Sequence, residues 1–274
     1  MTVGEAIREA TARLAATSDT ARLDAEILMG HALGVSRSDM LLRHMREECP
    51  PGFAELLGRR AAREPVAHIT GVQEFYGREF RVSRDVLIPR GDTETLIDAA
   101  LECAPAARRV LDLGTGSGAL LVTALLELAE ATGTAIDASA AALDIARANA
   151  CKHGLAEDRA RFLLRDWTQV GWADGLGRFD LILCNPPYVE AEADLDPEVR
   201  DYEPASALFA GPEGLDDYRL LIPQIRKLMN PDGVAIFEIG RAQAEAVSEI
   251  AHSHGFAVEL RRDLANRPRA LLLR

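Results

Sequence analysis

Val110-Leu111-Asp112-Leu113-Gly114-Thr115-Gly116-Ser117-Gly118 is the stretch on which the fold turns. Val110 to Leu113 read as a short buried strand, and Leu120 to Ala129 read as the helix that follows. Between them lie three glycines on alternate positions. Glycine permits positive φ and lets a ligand approach the backbone. A strand, a glycine turn and a helix place that turn at the carboxyl end of a sheet strand, where open α/β folds bind ligands.

Downstream the pattern keeps alternating. Thr134–Asp137, Arg161–Leu164, Phe179–Cys184 and Val234–Ile239 read as further strands. Helices are expected over 140–153, 218–229 and 242–252, with Asn230-Pro231-Asp232-Gly233 ending the second. Such alternation implies a parallel sheet with helices on both faces. Phe256–Leu260 and Ala270–Leu273 are joined by a short link and should pair antiparallel. The expected class is α/β, a Rossmann-like sheet of seven strands with the last one antiparallel.

Upstream the character changes. Residues 1–65 carry helical spacing, as in Ala6, Ile7, Ala10 and Leu14, and read as a small helical domain. Residues 66–90 read as a β-hairpin linker, with strands at 67–71 and 80–83 around a turn at Tyr76-Gly77. Asp92 is placed to cap a helix running to Cys103, and residues 91–274 form the catalytic domain.

Composition narrows the function classes. The chain has 274 residues and a net charge of −12, and no basic stripe of the kind that neutralises phosphates. Direct contact with nucleic acid is therefore not expected; a small molecule or a basic protein fits better. Cys49, Cys103, Cys151 and Cys184 form no CxxC, so neither a zinc site nor a disulfide framework is expected, and no metal is assigned. No apolar run reaches spanning length, so a soluble cytoplasmic protein without membrane contact is the expectation.

Asp137 ends the second strand, 21 residues after Gly116, where a carboxylate can accept both hydroxyls of an adenosine ribose. The turn and this acid leave two enzymes open, because Gly114, Gly116 and Ala119 also satisfy a dinucleotide fingerprint. A nicotinamide oxidoreductase and a methyltransferase both fit, as does a glycine turn with no ligand. The acid before the turn, Asp112, and the antiparallel end of the sheet favour the methyltransferase. Asp166-Trp167 ends the third strand, where a carboxylate can meet an adenine amino group and an indole can pack on the ring. A tryptophan covering a sheet edge is the plainer alternative.

Asn185-Pro186-Pro187-Tyr188 directly follows the fourth strand. Two prolines fix φ and remove two donors, giving a rigid loop with free carbonyls. The Asn185 side-chain oxygen and the Pro186 carbonyl would match the two N–H bonds of a planar NH₂ group. Tyr188 offers a flat face for an amide or a base. An amide or exocyclic amine nitrogen is a poor nucleophile, and acceptors on both hydrogens aim its lone pair and stabilise developing positive charge. A proline-rich turn alone would mean little; after this strand it reads as catalytic. By itself it does not separate glutamine from adenine.

Together with Ile88-Pro89-Arg90-Gly91-Asp92-Thr93-Glu94, Arg22-Leu23-Asp24-Ala25-Glu26-Ile27-Leu28 and Glu64-Pro65-Val66-Ala67-His68-Ile69-Thr70-Gly71, these motifs resemble the bacterial peptide chain release factor glutamine methyltransferases, class I enzymes dependent on S-adenosylmethionine. The resemblance covers essentially the whole chain. It implies N5-methylation of the glutamine in the Gly-Gly-Gln motif of class 1 release factors, with S-adenosylhomocysteine as product. It also implies that the N-terminal helices help to dock the factor, and a monomer is expected. By motif, Gly114, Thr115, Gly116, Ser117, Gly118, Asp137, Asp166, Trp167 and Asn185 would hold the cofactor. Asn185, Pro186, Pro187 and Tyr188 would hold the glutamine, with Asn185, Pro186 and Tyr188 catalytic. Two departures stand out: Gly91 replaces the usual proline, and Asn266-Arg267-Pro268-Arg269 replaces the commoner Gly-Arg-Asp-Arg. The alternative function is an adenine-N6 methyltransferase of DNA or RNA, against which the charge and the lack of a target-recognition domain argue.

Overall fold

The computed structural model describes residues 1–274 and divides the chain into two compact units. The first comprises Met1–Val72 and Leu195–Tyr202; the second comprises Gln73–Asp194 and Glu203–Arg274.

The first unit is helical. Helix α1 (Val3–Leu14) opens with a capping box: Thr2 accepts from the Glu5 amide, and the Glu5 carboxylate accepts from the Thr2 amide. These bonds satisfy two of the donors a helix start leaves open. Helix α2 (Ala21–Leu33) stops at Gly34 in the left-handed conformation. Val3, Ile7, Leu14, Leu28, Met29, Met40 and Phe53 form its core. Short α3 (Arg37–Asp39) runs into one wide turn at Met40–His44, followed by α4 (Phe53–Ala61).

Residues 67–71, expected as the first strand of the hairpin, are instead helical: α5 spans Val66–Thr70. Pro65 starts this turn and Gly71, at φ +75°, ends it. The hairpin begins later, with β1 (Val72–Phe75) and β2 (Arg78–Arg81). Its two-residue turn, Tyr76-Gly77, has positive φ at both positions, the geometry that matches strand twist.

The second unit holds the seven-stranded sheet. A short 3₁₀ turn at Gly91–Thr93 leads into α6 (Glu94–Cys103), and Thr93, not Asp92, occupies the cap position. The Asp92 carboxylate is drawn away by stronger, charged donors: it accepts from Arg267 at 3.0 Å and from Arg269 at 2.9 Å. The chain continues through β3 (Arg109–Leu113), α7 (Ala119–Glu127), β4 (Thr132–Asp137), α8 (Ala140–Lys152), β5 (Ala160–Leu164) and β6 (Phe179–Cys184). After α9 (Pro197–Tyr202) come α10 (Asp216–Leu228), β7 (Met229–Glu238), α11 (Ala244–Ser253), β8 (Val258–Arg262) and β9 (Pro268–Leu273). The strand order is β5-β4-β3-β6-β7-β9-β8, and β9 alone runs antiparallel to its neighbours.

Residues 230–233, expected as a turn ending α10, lie within β7, which starts at Met229. The strand absorbs them as an irregularity: Met229 pairs with Phe179, and regular pairing resumes at Val234 with Leu181. Helices cover both faces of the sheet. Leu121 and Leu125 of α7 pack on one face, and Leu221, Ile222 and Ile225 of α10 on the other. The strand order reverses between β3 and β6, so the glycine turn after β3 and Asn185 after β6 share one crevice. No helix is long and apolar enough to cross a membrane.

Candidate active site

The glycine turn is held by its neighbouring strand. The amides of Gly114 and Thr115 both donate to the Ile136 carbonyl of β4 at 3.0 Å. Gly114 (φ +72°) and Gly116 (φ +53°) adopt conformations that L side chains rarely take. A Cβ on Gly114 would lie 2.9 Å from the Trp167 ring, whereas one on Gly116 would meet nothing within 4 Å. The turn is thus packed on one side by indole and open on the other.

A cavity of about 430 Å³ opens there. Gly114, Thr115, Gly116, Ser117, Asp137, Asp166, Trp167, Asn185 and Pro187 all line it. Of the remaining expected residues, Gly118 occupies the cap position before α7, and neither it nor Pro186 nor Tyr188 forms part of the wall. The wall carries Asp85, Asp137, Asp166 and Asp217 against a single basic residue, Arg90. Arg90 is itself paired with Glu203. Such a surface favours a cation and disfavours the pyrophosphate of a dinucleotide.

Asp137 accepts from the Gly116 amide and the Ser139 amide, each at 2.9 Å. Burial holds its pKa above the usual carboxylate value. Each oxygen keeps acceptor capacity beyond these bonds. Asp112 lies behind the turn with no exposure, and its Oδ2 accepts from the Thr115 hydroxyl at 2.6 Å. Burial pushes its pKa up to about 7, and the charge of Asp137 adds to the effect. Asp166 is engaged by the Thr168 amide and hydroxyl, which lower its pKa. The Trp167 indole donates to Asp217 Oδ1 at 2.7 Å, fixing the ring over the turn.

Asn185 follows β6, whose Cys184 pairs with Phe237 of β7. Its side-chain Oδ1 is buried and has no hydrogen-bond partner. A buried acceptor left unpaired is costly, which marks this atom as one awaiting a donor. The segment beyond it is anchored firmly. The Tyr188 carbonyl accepts from Gln243 Nε2 at 3.0 Å, and the Tyr188 hydroxyl donates to Glu238 Oε1 at 3.1 Å. Val189 then bridges to Phe209.

Several residues around the site have no motif that announces them. Asp217 sits in an ordinary acidic helix start, and Gln243 and Glu203 lie in unremarkable segments. Glu203 is buried and accepts from the Ile88 amide, so it shapes the wall at Pro89 and Arg90. Glu238 did carry a signal: a lone carboxylate within the apolar run Val234–Ile239.

Two family models match the chain. One, described as the PrmC N-terminal domain, matches residues 5–71, and a methyltransferase domain matches residues 106–259. The release factor glutamine methyltransferase of Cereibacter sphaeroides is 43% identical over 282 residues, covering 100% of this chain and 99% of that one. That of Nitratidesulfovibrio vulgaris is 41% identical, covering 98% and 93%. Among solved structures, a methyltransferase from Pyrococcus furiosus shares the fold at a TM-score of 0.52 and 15% identity, covering 80% of this chain and 98% of that one. An acid-lined crevice beside a glycine turn, a buried acceptor on Asn185 and full-length relatives agree: the chain belongs to the release factor glutamine methyltransferase family.

Proposed function

We propose that the protein transfers a methyl group from S-adenosylmethionine to the side-chain nitrogen (N5) of the glutamine in the Gly-Gly-Gln motif of class 1 peptide chain release factors. The observation that carries this reading is the buried, partnerless Oδ1 of Asn185 at the edge of an acidic cavity. When bound, the cofactor supplies a methyl group on a positively charged sulfur. The negative wall suits that charge, and the open face of Gly116 leaves room for a ligand against the backbone. Asp137 would accept from the ribose hydroxyls, Asp166 would meet the adenine amino group and Trp167 would pack on the ring.

The chain's own contribution to the reaction is alignment. Asn185 Oδ1 accepts one amide hydrogen of the glutamine and the Pro186 carbonyl accepts the other. Held so, the nitrogen turns its lone pair towards the methyl group, its developing positive charge is stabilised, and the proton it sheds on becoming a neutral secondary amide passes to water. Tyr188 supplies a face for the amide, and Pro187 stiffens the loop. Residues 1–65 dock the factor, 66–90 link, and 91–274 hold the chemistry.

Mass spectrometry of a release factor incubated with enzyme and cofactor should show one methyl on one glutamine. A parallel incubation with DNA and labelled cofactor tests adenine; label in DNA alone would overturn the reading.

A further inference from the structure

Two buried charged side chains, Glu238 and Arg269, meet next to the Asn-Pro-Pro-Tyr segment without belonging to the cavity wall. Cys184 pairs with Phe237, so the register sets Asn185 and Glu238 side by side at the ends of β6 and β7. Glu238 is 1% exposed, an unusual position for a carboxylate. Its backbone is fixed: the carbonyl accepts from the Tyr218 hydroxyl at 2.7 Å, and the next amide, Ile239, donates to the Arg269 carbonyl at 2.8 Å. Its Oε1 accepts from the Tyr188 hydroxyl at 3.1 Å and lies 3.8 Å from Arg269 Nη1. Arg269, also buried, donates through Nη2 to Asp92 at 2.9 Å. Asp92 and Arg269 lie 177 residues apart in the chain, and the structure joins them.

We propose that Glu238 is a positioning residue for methyl transfer, pinning the Tyr188 ring by its hydroxyl while Arg269 ties Glu238 to Asp92. The Tyr188 carbonyl is already held by Gln243, so the hydroxyl bond fixes the residue at its second end. A ring fixed at both ends presents one face in one place, as alignment of a planar amide requires. Burial raises the Tyr188 pKa, and the Glu238 charge adds to this, so the hydroxyl stays a donor. Burial also raises the Glu238 pKa, and Arg269 opposes that.

The inference rests on the glutamine reading, since Tyr188 matters to turnover only if it faces the amide. Steady-state methyl transfer to a purified release factor, with S-adenosylhomocysteine affinity measured by calorimetry, tests it on the full chain. Glu238→Leu should lose roughly 10- to 100-fold in kcat, the size of one charge-assisted hydrogen bond, with cofactor affinity and KM within about threefold. Glu238→Gln keeps an acceptor and should recover kcat to within about threefold of the parent. Tyr188→Phe should lose as much as Glu238→Leu, and the double variant no more than either. Multiplying losses, or a Gln variant as slow as the Leu variant, would overturn the proposal. If Glu238→Leu fails to fold, Tyr188→Phe decides: parental kcat would overturn it. A parent enzyme that never labels the factor points to failure of the glutamine reading instead. The pinning itself is then read by ¹⁹F NMR of fluorotyrosine-labelled protein, with Tyr188 assigned through Tyr188→Phe. Its signal should broaden or shift in Glu238→Leu but not in Glu238→Gln; an unmoved signal would overturn the pinning.

Discussion

The Trp167 indole lies against the backbone of Gly114, so close that a methyl group added there would sit 2.9 Å from the ring. Asp217 holds the indole from its nitrogen. The glycine is therefore required twice, once by its φ of +72° and once by the ring. The wall of the cavity on this side is a stack of backbone, indole and carboxylate, each fixing the next.

Gly114→Ala should weaken S-adenosylhomocysteine binding by at least about tenfold. A left-handed backbone at a non-glycine residue costs about 1–3 kcal/mol. Relief of the clash must move either the turn or Trp167, and both line the cavity. Calorimetric titration measures this directly; parental affinity would show that the turn tolerates a side chain.

Asn185→Ala should lower kcat by roughly 10²- to 10³-fold, the range for removing one hydrogen-bonding group aimed at developing charge. Cofactor affinity should stay within about threefold of the parent. The alanine variant also relieves a buried unpaired acceptor, so its melting temperature should not fall. Single-turnover kinetics with a release factor separate these effects. Unchanged turnover would refute the acceptor role.

What could be read from the sequence was what lies close in the chain. The glycine turn, Asp137 and Asn185 each sit at a strand end, so spacing alone carried them to the carboxyl edge of the sheet. Partners distant in sequence were not legible: Asp217 meets Trp167 across 50 residues, and Glu238 meets Tyr188 across another 50. Residues 67–71 misled because Ile69 and Thr70 are β-branched and locally favour a strand. Pro65 and Gly71 delimit them as one helical turn instead. Asp92 misled because a capping bond is weaker than two guanidinium partners, and Arg267 and Arg269 come from the far end of the chain.

Asp112→Asn should stabilise the protein increasingly as pH rises. The folded pKa of Asp112 is raised from 3.8 to about 7, chiefly by burial. For an acid raised on folding, the unfolded chain ionises first, so stability falls as pH climbs from about 4 to about 7. The asparagine escapes that cost and can still accept from the Thr115 hydroxyl. Its advantage over the parent should grow by about 3 kcal/mol between pH 5 and pH 8. Urea unfolding of both proteins at the two pH values measures the difference. An advantage independent of pH would mean that Asp112 ionises as readily in the fold as outside it.

Arg60→Ala should destabilise the helical unit more than any surface arginine change. Arg60 is 4% exposed; its Nε donates to Asp24 at 2.7 Å and its Nη1 to Glu198 at 2.6 Å. Removing one member of a buried pair leaves the other charge uncompensated, a loss of about 3–5 kcal/mol. Asp24 keeps bonds from the Ser18 and Thr20 hydroxyls, which places the expected loss near the lower end. Arg43→Ala is the control, because its partner Asp39 is exposed and an exposed pair contributes about 0–1 kcal/mol. Denaturant unfolding of both variants gives the comparison. Equal effects would show that burial adds nothing to the Arg60 pair.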